Sequence, residues 1–252
     1  MEQREKYSFS KLSAFRNCKY GYKLTYIDHI KGEGNCFSSY GIEVHSIMER
    51  YAKGELALWD LPAVYEWEFE TAVPEEFPPS DFCKDENGNK ITMKELYYQQ
   101  GLRYLNNFAG YDDIKILGVE ESFEIPIDDW SFNGIIDLVY EDKDGKLVIQ
   151  DYKSKSSFKS KKEQAEYARQ LYLYSLYIKD KYGRFPDILK FMMFRKETPI
   201  EIKFSEKELV EALGWARNTI EEIRNCREFS PSCEQFFSEH LCNHRNHCEN
   251  KI

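Results

Sequence analysis

The hydrophobic positions in the first 110 residues repeat with the 3.6-residue period of amphipathic helices. This spacing predicts a helix over residues 10–27 and a second helix over about 40–58. A capping box, Thr92-Met-Lys-Glu95, opens a third helix that reaches about residue 108. The intervening stretch 60–90 is rich in proline and acidic residues, so we expect a loop-rich insertion there.

After residue 110 the pattern changes to short runs of β-branched and aromatic residues, which are typical of strands. The predicted elements are strands at 114–127, 131–140 and 146–153, a helix at 161–181, strands at 188–195 and 200–204, and a helix at 205–226. This order favours an α/β fold in which helices flank a mixed sheet.

The chain is predicted to form one main domain with a short appendage. The domain covers residues 1–228, with N-terminal helices over 10–110 and a core over 111–228. The tail, residues 229–252, is rich in cysteine and histidine but has no periodic hydrophobic face. Something other than hydrophobic packing must therefore order it, and we expect it to pack back near Cys18.

Composition excludes several classes of protein. The chain has 252 residues and 15% aromatic residues, which is enough for a large core and excludes intrinsic disorder. No apolar run reaches the roughly 18–20 residues that cross a bilayer. No hydrophobic segment follows Met1–Lys6, so we expect no signal peptide, no membrane partner and a cytoplasmic location.

The charge is unevenly distributed. The net charge is −9, yet residues 4–31 carry a net +5 and residues 153–169 a net +4. If these segments meet in space, they form a basic face suited to a polyanion such as nucleic acid. The alternative is two separate, solvated surface stretches.

Two carboxylates occupy positions that folding alone would disfavour. Asp137 lies within an apolar strand, and Asp151 ends the next strand. The turn at 142–145 joins these strands as antiparallel neighbours, which places the two aspartates at similar depths. Lys153 shares a face with Asp151, because side chains two residues apart point the same way.

An unpaired buried carboxylate is costly, so these aspartates need a cationic partner. With the Tyr152 carbonyl, Asp137 and Asp151 make an oxygen-rich site suited to Mg²⁺ or Mn²⁺. A salt-bridged strand end, with Lys153 as the cation, is the alternative.

Four short motifs occur in order along the chain. They are Gly-x-x-x-His at 41–45, Gly-x-x-Asp at 134–137, Asp-Tyr-Lys at 151–153 and Gln-x-x-x-Tyr at 170–174. With this ordered set the chain resembles the RecB-type branch of the PD-(D/E)XK nuclease superfamily, and within it CRISPR-associated and phage exonucleases. The resemblance covers nearly the whole chain, from Ser10 to Cys248.

The resemblance implies a restriction-endonuclease-like fold with the catalytic residues in the core at 111–228. It implies that the metal is bound by His45, Asp137, Asp151 and the Tyr152 carbonyl. Lys153 would be catalytic together with the two aspartates, positioning or activating the attacking water. The metal would polarise the scissile phosphate and lower the pKa of bound water.

The function implied is a divalent-metal-dependent DNA exonuclease acting in DNA processing, recombination or defence. Its substrate would be single- or double-stranded DNA, and its other partners a second copy of the chain or recombination or CRISPR proteins. The alternative is a catalytically inactive nucleic-acid-binding module or a structural subunit of a recombination complex. The intact set of Asp137, Asp151 and Lys153 argues against a pure binder.

The same resemblance concerns three further positions. Gln170 and Tyr174 would contact the substrate, although a stripe of Tyr167, Gln170, Tyr174 and Tyr177 on one helix face is commonly core. Glu120 occupies a place where such nucleases often carry a carboxylate, but we expect it to be a solvated strand acid.

The seven cysteines are an odd number, which favours reduced thiols or metal ligation over a disulfide framework. The resemblance implies a [4Fe-4S] cluster bound by Cys18, Cys233, Cys242 and Cys248. The chain departs from the family's usual Cys-x-x-Cys, since position 239 is Glu. Zinc held by cysteine with His244 or His247, and a tail without metal, are the alternatives.

Overall fold

The computed structural model describes residues 4–232 and 242–248. Its helices are α1 (Phe9–Asn17), α2 (Lys19–Tyr26), α3 (Cys36–Ala52), α4 (Leu61–Ala72), α5 (Met93–Asn107), α6 (Lys161–Tyr182) and α7 (Glu206–Asn225). Its strands are β1 (Glu5–Tyr7), β2 (Lys115–Ile127), β3 (Trp130–Glu141), β4 (Leu147–Lys153), β5 (Ile188–Met193) and β6 (Thr198–Lys203).

The six strands form one mixed sheet in which β3 is the most extensively paired strand. β2 pairs with β3 along its length, while β4, β5 and β6 follow in order from the other edge of β3. β1 lies beside residues 130–132 of β3, in parallel with it. The β4–β5 pair is also parallel and the remaining pairs are antiparallel. The predicted α/β fold with a mixed sheet flanked by helices is confirmed.

Two large hydrophobic cores and a small cluster of Leu138, Tyr140 and Val148 lie around this sheet in the described residues. One contains buried side chains of the strands, α6 and α7, such as Phe132, Ile149, Leu171 and Ile220. The other joins α3, α4 and α5 through side chains such as Tyr65. No helix in the described residues combines the length and apolar character needed to cross a membrane.

The expectation of a loop-rich insertion over 60–90 was wrong for its first part, which forms α4. Leu61, Tyr65 and Phe69 follow one another at intervals of four residues and are buried along one face. Pro62 lies in the first turn, where its missing amide hydrogen is tolerated. The prolines and acids of the region concealed this short buried stripe.

The predicted helix over 10–27 is divided into α1 and α2 at Cys18. The backbone of Cys18 is extended, with φ −157° and ψ 111°. Its amide donates to the Ala14 carbonyl and ends α1, and its thiol accepts from the Gly21 amide at 3.4 Å and begins α2. A cysteine at the junction therefore caps both helices.

Candidate active site

The ladder between β3 and β4 ends where the two predicted aspartates lie. Leu138 and Gln150 form the last pair, so the same register places Asp137 and Asp151 opposite each other at the next position. There Asp137 Oδ2 accepts a hydrogen bond from the Tyr152 amide at 2.8 Å. A side-chain carboxylate thus bonds to β4 just beyond the end of the regular ladder.

Helix α3 and strand β2 add two more groups to this point. His45 Nε2 lies 3.1 Å from Glu120 Oε1 and 3.5 Å from Asp137 Oδ2. Glu120 has φ +48°, a left-handed conformation that is uncommon for a strand residue. One ligand atom from each of these three residues lies within 4.8 Å of the other two. This spacing suits the binding of a single cation.

Gly41 explains how α3 approaches the strand end closely. A Cβ at this position would lie 3.1 Å from both Cβ and Oγ of Ser154. His45 follows four residues later and therefore lies on the same helix face. The Gly-x-x-x-His motif thus combines close packing with delivery of an imidazole to the site.

Gly134, in the Gly-x-x-Asp motif, likewise allows close packing against its strand. A Cβ there would lie 2.7 Å from Tyr174 Cε1 and 2.9 Å from Phe123 Cζ. The two aromatic rings pack edge to face against each other, with centroids 5.1 Å apart. Glycine at this position therefore lets Tyr174 pack against β3. Asp137 follows Gly134 by three residues on the same strand.

Lys153 is held by groups from its own strand and from α6. Its Nζ forms an ion pair with Asp151 Oδ2 at 2.7 Å and donates to Gln170 Oε1 at 3.3 Å. The Gln170 amide nitrogen donates in turn to the Tyr174 hydroxyl at 3.2 Å. The structure thus brings all four of these predicted site residues into one connected set.

The site concentrates negative charge, with Asp151 buried and Glu120 and Asp137 half-buried. Burial and the neighbouring Asp151 raise the pKa of Asp137 to about 7. Burial lowers the pKa of His45, but the carboxylates of Glu120, Asp137 and Asp151 outweigh it, and the net shift is upward. A bound cation would relieve the repulsion between these carboxylates.

The donor atoms fit a divalent cation. His45 Nε2, Glu120 Oε1 and Asp151 Oδ2 are shielded from solvent, and in the described part of the chain they form ion pairs with each other or with Lys153 but no hydrogen bond of regular geometry. Carboxylate oxygens with an imidazole nitrogen are ligands that Mg²⁺ or Mn²⁺ accepts. Tyr152 contributes its amide to Asp137, while its hydroxyl bonds to that of Tyr111.

Glu120 is the residue that sequence reasoning left out, and the expectation of a solvated acid was wrong. Its Oε1 is fully shielded from solvent beside His45. The adjacent Glu121 instead contacts Lys181 and the Tyr177 hydroxyl, away from His45. The resemblance indicated a carboxylate near this position, but only the local backbone decides which of the two consecutive acids enters the site.

Three of the four predicted cysteine ligands lie among the described residues, in segments that contribute no group to this site. Cys18 joins α1 to α2, Cys242 and Cys248 lie in the described part of the tail, and Cys233 lies outside the described residues. Burial raises the pKa of the Cys242 thiol, and negative charge on Cys248 and Cys18 adds to this rise. Cys18 and Cys248 therefore each lie within electrostatic range of Cys242.

Polar contacts attach residues 242–248 to the N-terminal helices. The Glu33 amide donates to the Asn243 carbonyl at 2.7 Å, and His244 Nε2 lies 2.7 Å from Thr25 Oγ1. His244 is buried and its Nδ1 has no hydrogen-bond partner among the described residues. The described tail segment thus places thiols and an imidazole beside α2.

Solved structures give a fold-level comparison. A candidate exonuclease from Eubacterium rectale superposes with a TM-score of 0.53 at 12% identity, covering 98% of this chain and 89% of its own. This similarity shows a shared fold. A second solved protein, SSO0001, covers 100% of this chain and 89% of its own at 14% identity, but its TM-score of 0.38 supports no argument.

Sequence comparison identifies the family. No curated protein matches the chain. The family model described as the PD-(D/E)XK nuclease superfamily matches residues 6–249, almost the entire length. With its mixed sheet and its group of imidazole and carboxylates at the end of the β3–β4 ladder, the chain belongs to the PD-(D/E)XK nuclease superfamily.

Proposed function

We propose that the protein is a divalent-metal-dependent DNA exonuclease. The observation that carries this proposal is the meeting of His45, Glu120 and Asp137 beside the Asp151–Lys153 pair. A half-buried cation site next to a lysine is the arrangement needed to hydrolyse a phosphodiester. A module that only binds nucleic acid has no need of this costly burial of like charges.

The proposed ligands of the cation are His45, Glu120, Asp137 and Asp151, with the Tyr152 carbonyl. Bound Mg²⁺ or Mn²⁺ would polarise the scissile phosphate and lower the pKa of its water ligand. The chain's own groups position the substrate and stabilise the charge that develops on it.

Lys153 is the proposed catalytic cation of the chain itself. The Asp151 carboxylate and the Gln170 amide oxygen orient its ammonium group. An ammonium held in this way can position the attacking water and stabilise the charge growing on the phosphate oxygens. Gln170 and Tyr174 would also contact the DNA near the scissile bond.

Cleavage assays test this function directly. Purified protein is incubated with end-labelled linear single-stranded and duplex DNA in Mg²⁺, Mn²⁺ or EDTA. We expect mononucleotides or short oligonucleotides from the linear DNA, none in EDTA, and no nicking of closed circular DNA of the same sequence. Cleavage of the circles would show an endonuclease, and intact linear DNA in both metals would favour the binding module.

We also propose that the tail holds a [4Fe-4S] cluster through Cys18, Cys233, Cys242 and Cys248. The support is that Cys18 and Cys248 each lie within electrostatic range of Cys242, and thiolates are the usual ligands of such clusters. Anaerobically purified protein should then be brown and contain iron and sulfide. Zinc in the elemental analysis would instead favour a Cys/His zinc site, and the absence of both metals would favour a tail without metal.

A cytoplasmic location is also proposed, because it fits both reduced thiols and a DNA substrate.

A further inference from the structure

A pocket of about 520 Å³ lies between α1, α6 and α7, on the side of α6 that faces these two helices. Three aromatic side chains line it, namely Phe9 of α1, Tyr167 of α6 and Trp215 of α7. All three are half-buried, so part of each ring remains accessible. The two segments with a net positive charge, 4–31 and 153–169, both contribute residues to this pocket.

Tyr167 connects this pocket to the candidate active site. Its ring centroid lies 5.4 Å from Lys153 Nζ, and the same residue forms part of the pocket wall. Gln170, which accepts a hydrogen bond from Lys153, follows Tyr167 by one turn of α6. A strand whose phosphate lies at Lys153 would therefore place a neighbouring nucleotide close to the pocket.

The charges around the pocket do not suit a phosphate group. Arg16 already bonds to Thr219 and Glu222, each at 2.8 Å, and Glu163 bonds to Lys155. Two carboxylates and two guanidinium groups line the pocket, so it has no excess of positive charge. A neutral occupant with polar edges fits these surroundings better than an anion does.

Arg169 supplies a planar surface rather than a simple charge. Its guanidinium carbon lies 5.3 Å from the centroid of the Trp215 ring, and the ring of Phe9 lies 5.7 Å from the same centroid. Bases of single strands stack on aromatic rings and on guanidinium planes. The lining thus offers stacking surfaces with polar groups, including the Glu166 carboxylate, around them.

We propose that this pocket binds an unpaired base of single-stranded DNA next to the nucleotide being cleaved. The proposal rests on the proposed function, because it takes Lys153 as the place of the scissile phosphate. A base within a duplex is stacked between its neighbours and cannot enter. The pocket therefore gives the enzyme a preference for single strands or for frayed ends.

Binding measurements test the pocket without relying on cleavage. A fluorescein-labelled oligo(dT) and a blunt duplex are titrated in EDTA and followed by fluorescence anisotropy. Arg169→Ala should weaken binding of the single strand about tenfold, the size of one lost stacking contact, and leave duplex binding unchanged. Arg169→Lys keeps the charge but loses the plane, so it should behave like Arg169→Ala.

Arg217→Ala is the matched control. It also removes a guanidinium group, but one on α7 that forms an exposed ion pair with Asp128. It should leave the single-strand affinity within about twofold of wild type, as expected for a surface charge. If folded Arg169→Lys bound oligo(dT) with wild-type affinity, Arg169 would act through its charge, and the proposal that a base stacks in the pocket would be overturned. Equal losses for single strand and duplex, or no loss in either Arg169 variant, would also overturn it.

The same titrations separate this proposal from the proposed function. Wild-type protein that binds oligo(dT) through Arg169 but cleaves no DNA in Mg²⁺ or Mn²⁺ would contradict the nuclease assignment alone. Wild-type protein that cleaves DNA but shows no dependence of binding on Arg169 would contradict the pocket alone. Wild-type protein that does not bind oligo(dT) would also contradict the pocket.

Discussion

The candidate active site and the cysteine-containing tail gather their groups in different ways. Asp137, Asp151 and Glu120 lie on adjacent strands, where the ladders around β3 set their positions. Cys18 and Cys242 come from near opposite ends of the chain and are brought together by polar contacts such as that between Glu33 and Asn243. The first site is built into the sheet before any ion binds. Among the described residues the second is attached by polar contacts rather than by a strand ladder, so bound metal would contribute more to holding it.

The largest expected effect separates chemistry from binding at the first site. Lys153→Ala should slow cleavage by at least about a hundredfold, because it removes a positive charge that acts mainly in the transition state. DNA affinity in EDTA should stay nearly unchanged, and so should the iron content of the tail. Single-turnover cleavage and anisotropy titrations measure the two quantities. Cleavage at the wild-type rate would remove Lys153 from the chemistry.

The next test asks whether Glu120 is a metal ligand or merely a neighbour of His45. Glu120→Ala should weaken Mn²⁺ binding about 10–100-fold by isothermal titration calorimetry, since one carboxylate leaves the site. Glu121→Ala, one residue along the same strand, is the control and should keep wild-type Mn²⁺ affinity, because Glu121 contacts Lys181 instead. Equal Mn²⁺ affinity in the two variants would show that Glu120 is not a ligand. The site would then consist of the residues predicted from the sequence, namely His45, Asp137, Asp151 and the Tyr152 carbonyl.

The tail is tested by a pair of cysteine substitutions. Cys18→Ser should lower the melting temperature by several degrees and remove iron from anaerobically purified protein, because it deletes a proposed ligand. Cys226→Ser is the control, since the Cys226 thiol donates to the Glu228 carbonyl and is not one of the proposed ligands. Both variants should keep wild-type Mn²⁺ affinity at the first site. If Cys18→Ser also weakens Mn²⁺ binding, the two regions are coupled and the contrast between them fails.

A pair of glycine substitutions tests how tightly the sheet side of the first site is packed. Gly134→Ala should destabilise the protein by about 1–3 kcal/mol, because the new methyl group would overlap Tyr174 and Phe123. Gly214→Ala, in α7 with no atom near the new methyl group, should stabilise it by about 0.5–1 kcal/mol. Urea unfolding measures both changes. Matching changes in the two variants would show that Gly134 is not required by packing.

The smallest expected effect is the pH dependence of metal binding. The pKa of Asp137 is raised to about 7, far above that of an unfolded aspartate, by burial and by Asp151. The stability that its bound proton provides is therefore present in acid and is lost as pH rises through 7. The metal replaces this proton, so Mn²⁺ should bind up to about tenfold more weakly at pH 6 than at pH 8.

Thermal shift measurements at both pH values provide the readout. The increase in melting temperature on adding Mn²⁺ should be larger at pH 8. His45 acts in the same direction, because its pKa is also raised and metal binding needs its neutral form. An equal increase at pH 6 and pH 8 would contradict the proton competition.

Local patterns in the sequence predicted most of the elements and the central part of the site. The turn at 142–145 and the alternation of strand residues were enough to place Asp137 opposite Asp151, because register follows from a short connection. The sequence did not reveal α4, since Leu61, Tyr65 and Phe69 form a narrow stripe among prolines and acids. It also did not reveal the division of α1 from α2, which depends on the extended backbone of Cys18.

What the sequence determined by itself was the chemistry available on neighbouring strands and the family to which its motifs point. What only the tertiary structure decided was which distant groups meet those strands. Glu120 enters the site through a left-handed backbone conformation, and Gly134 is needed because Tyr174 lies over it from another element. Contacts of this kind join residues with no fixed spacing along the chain, so no periodic pattern encodes them.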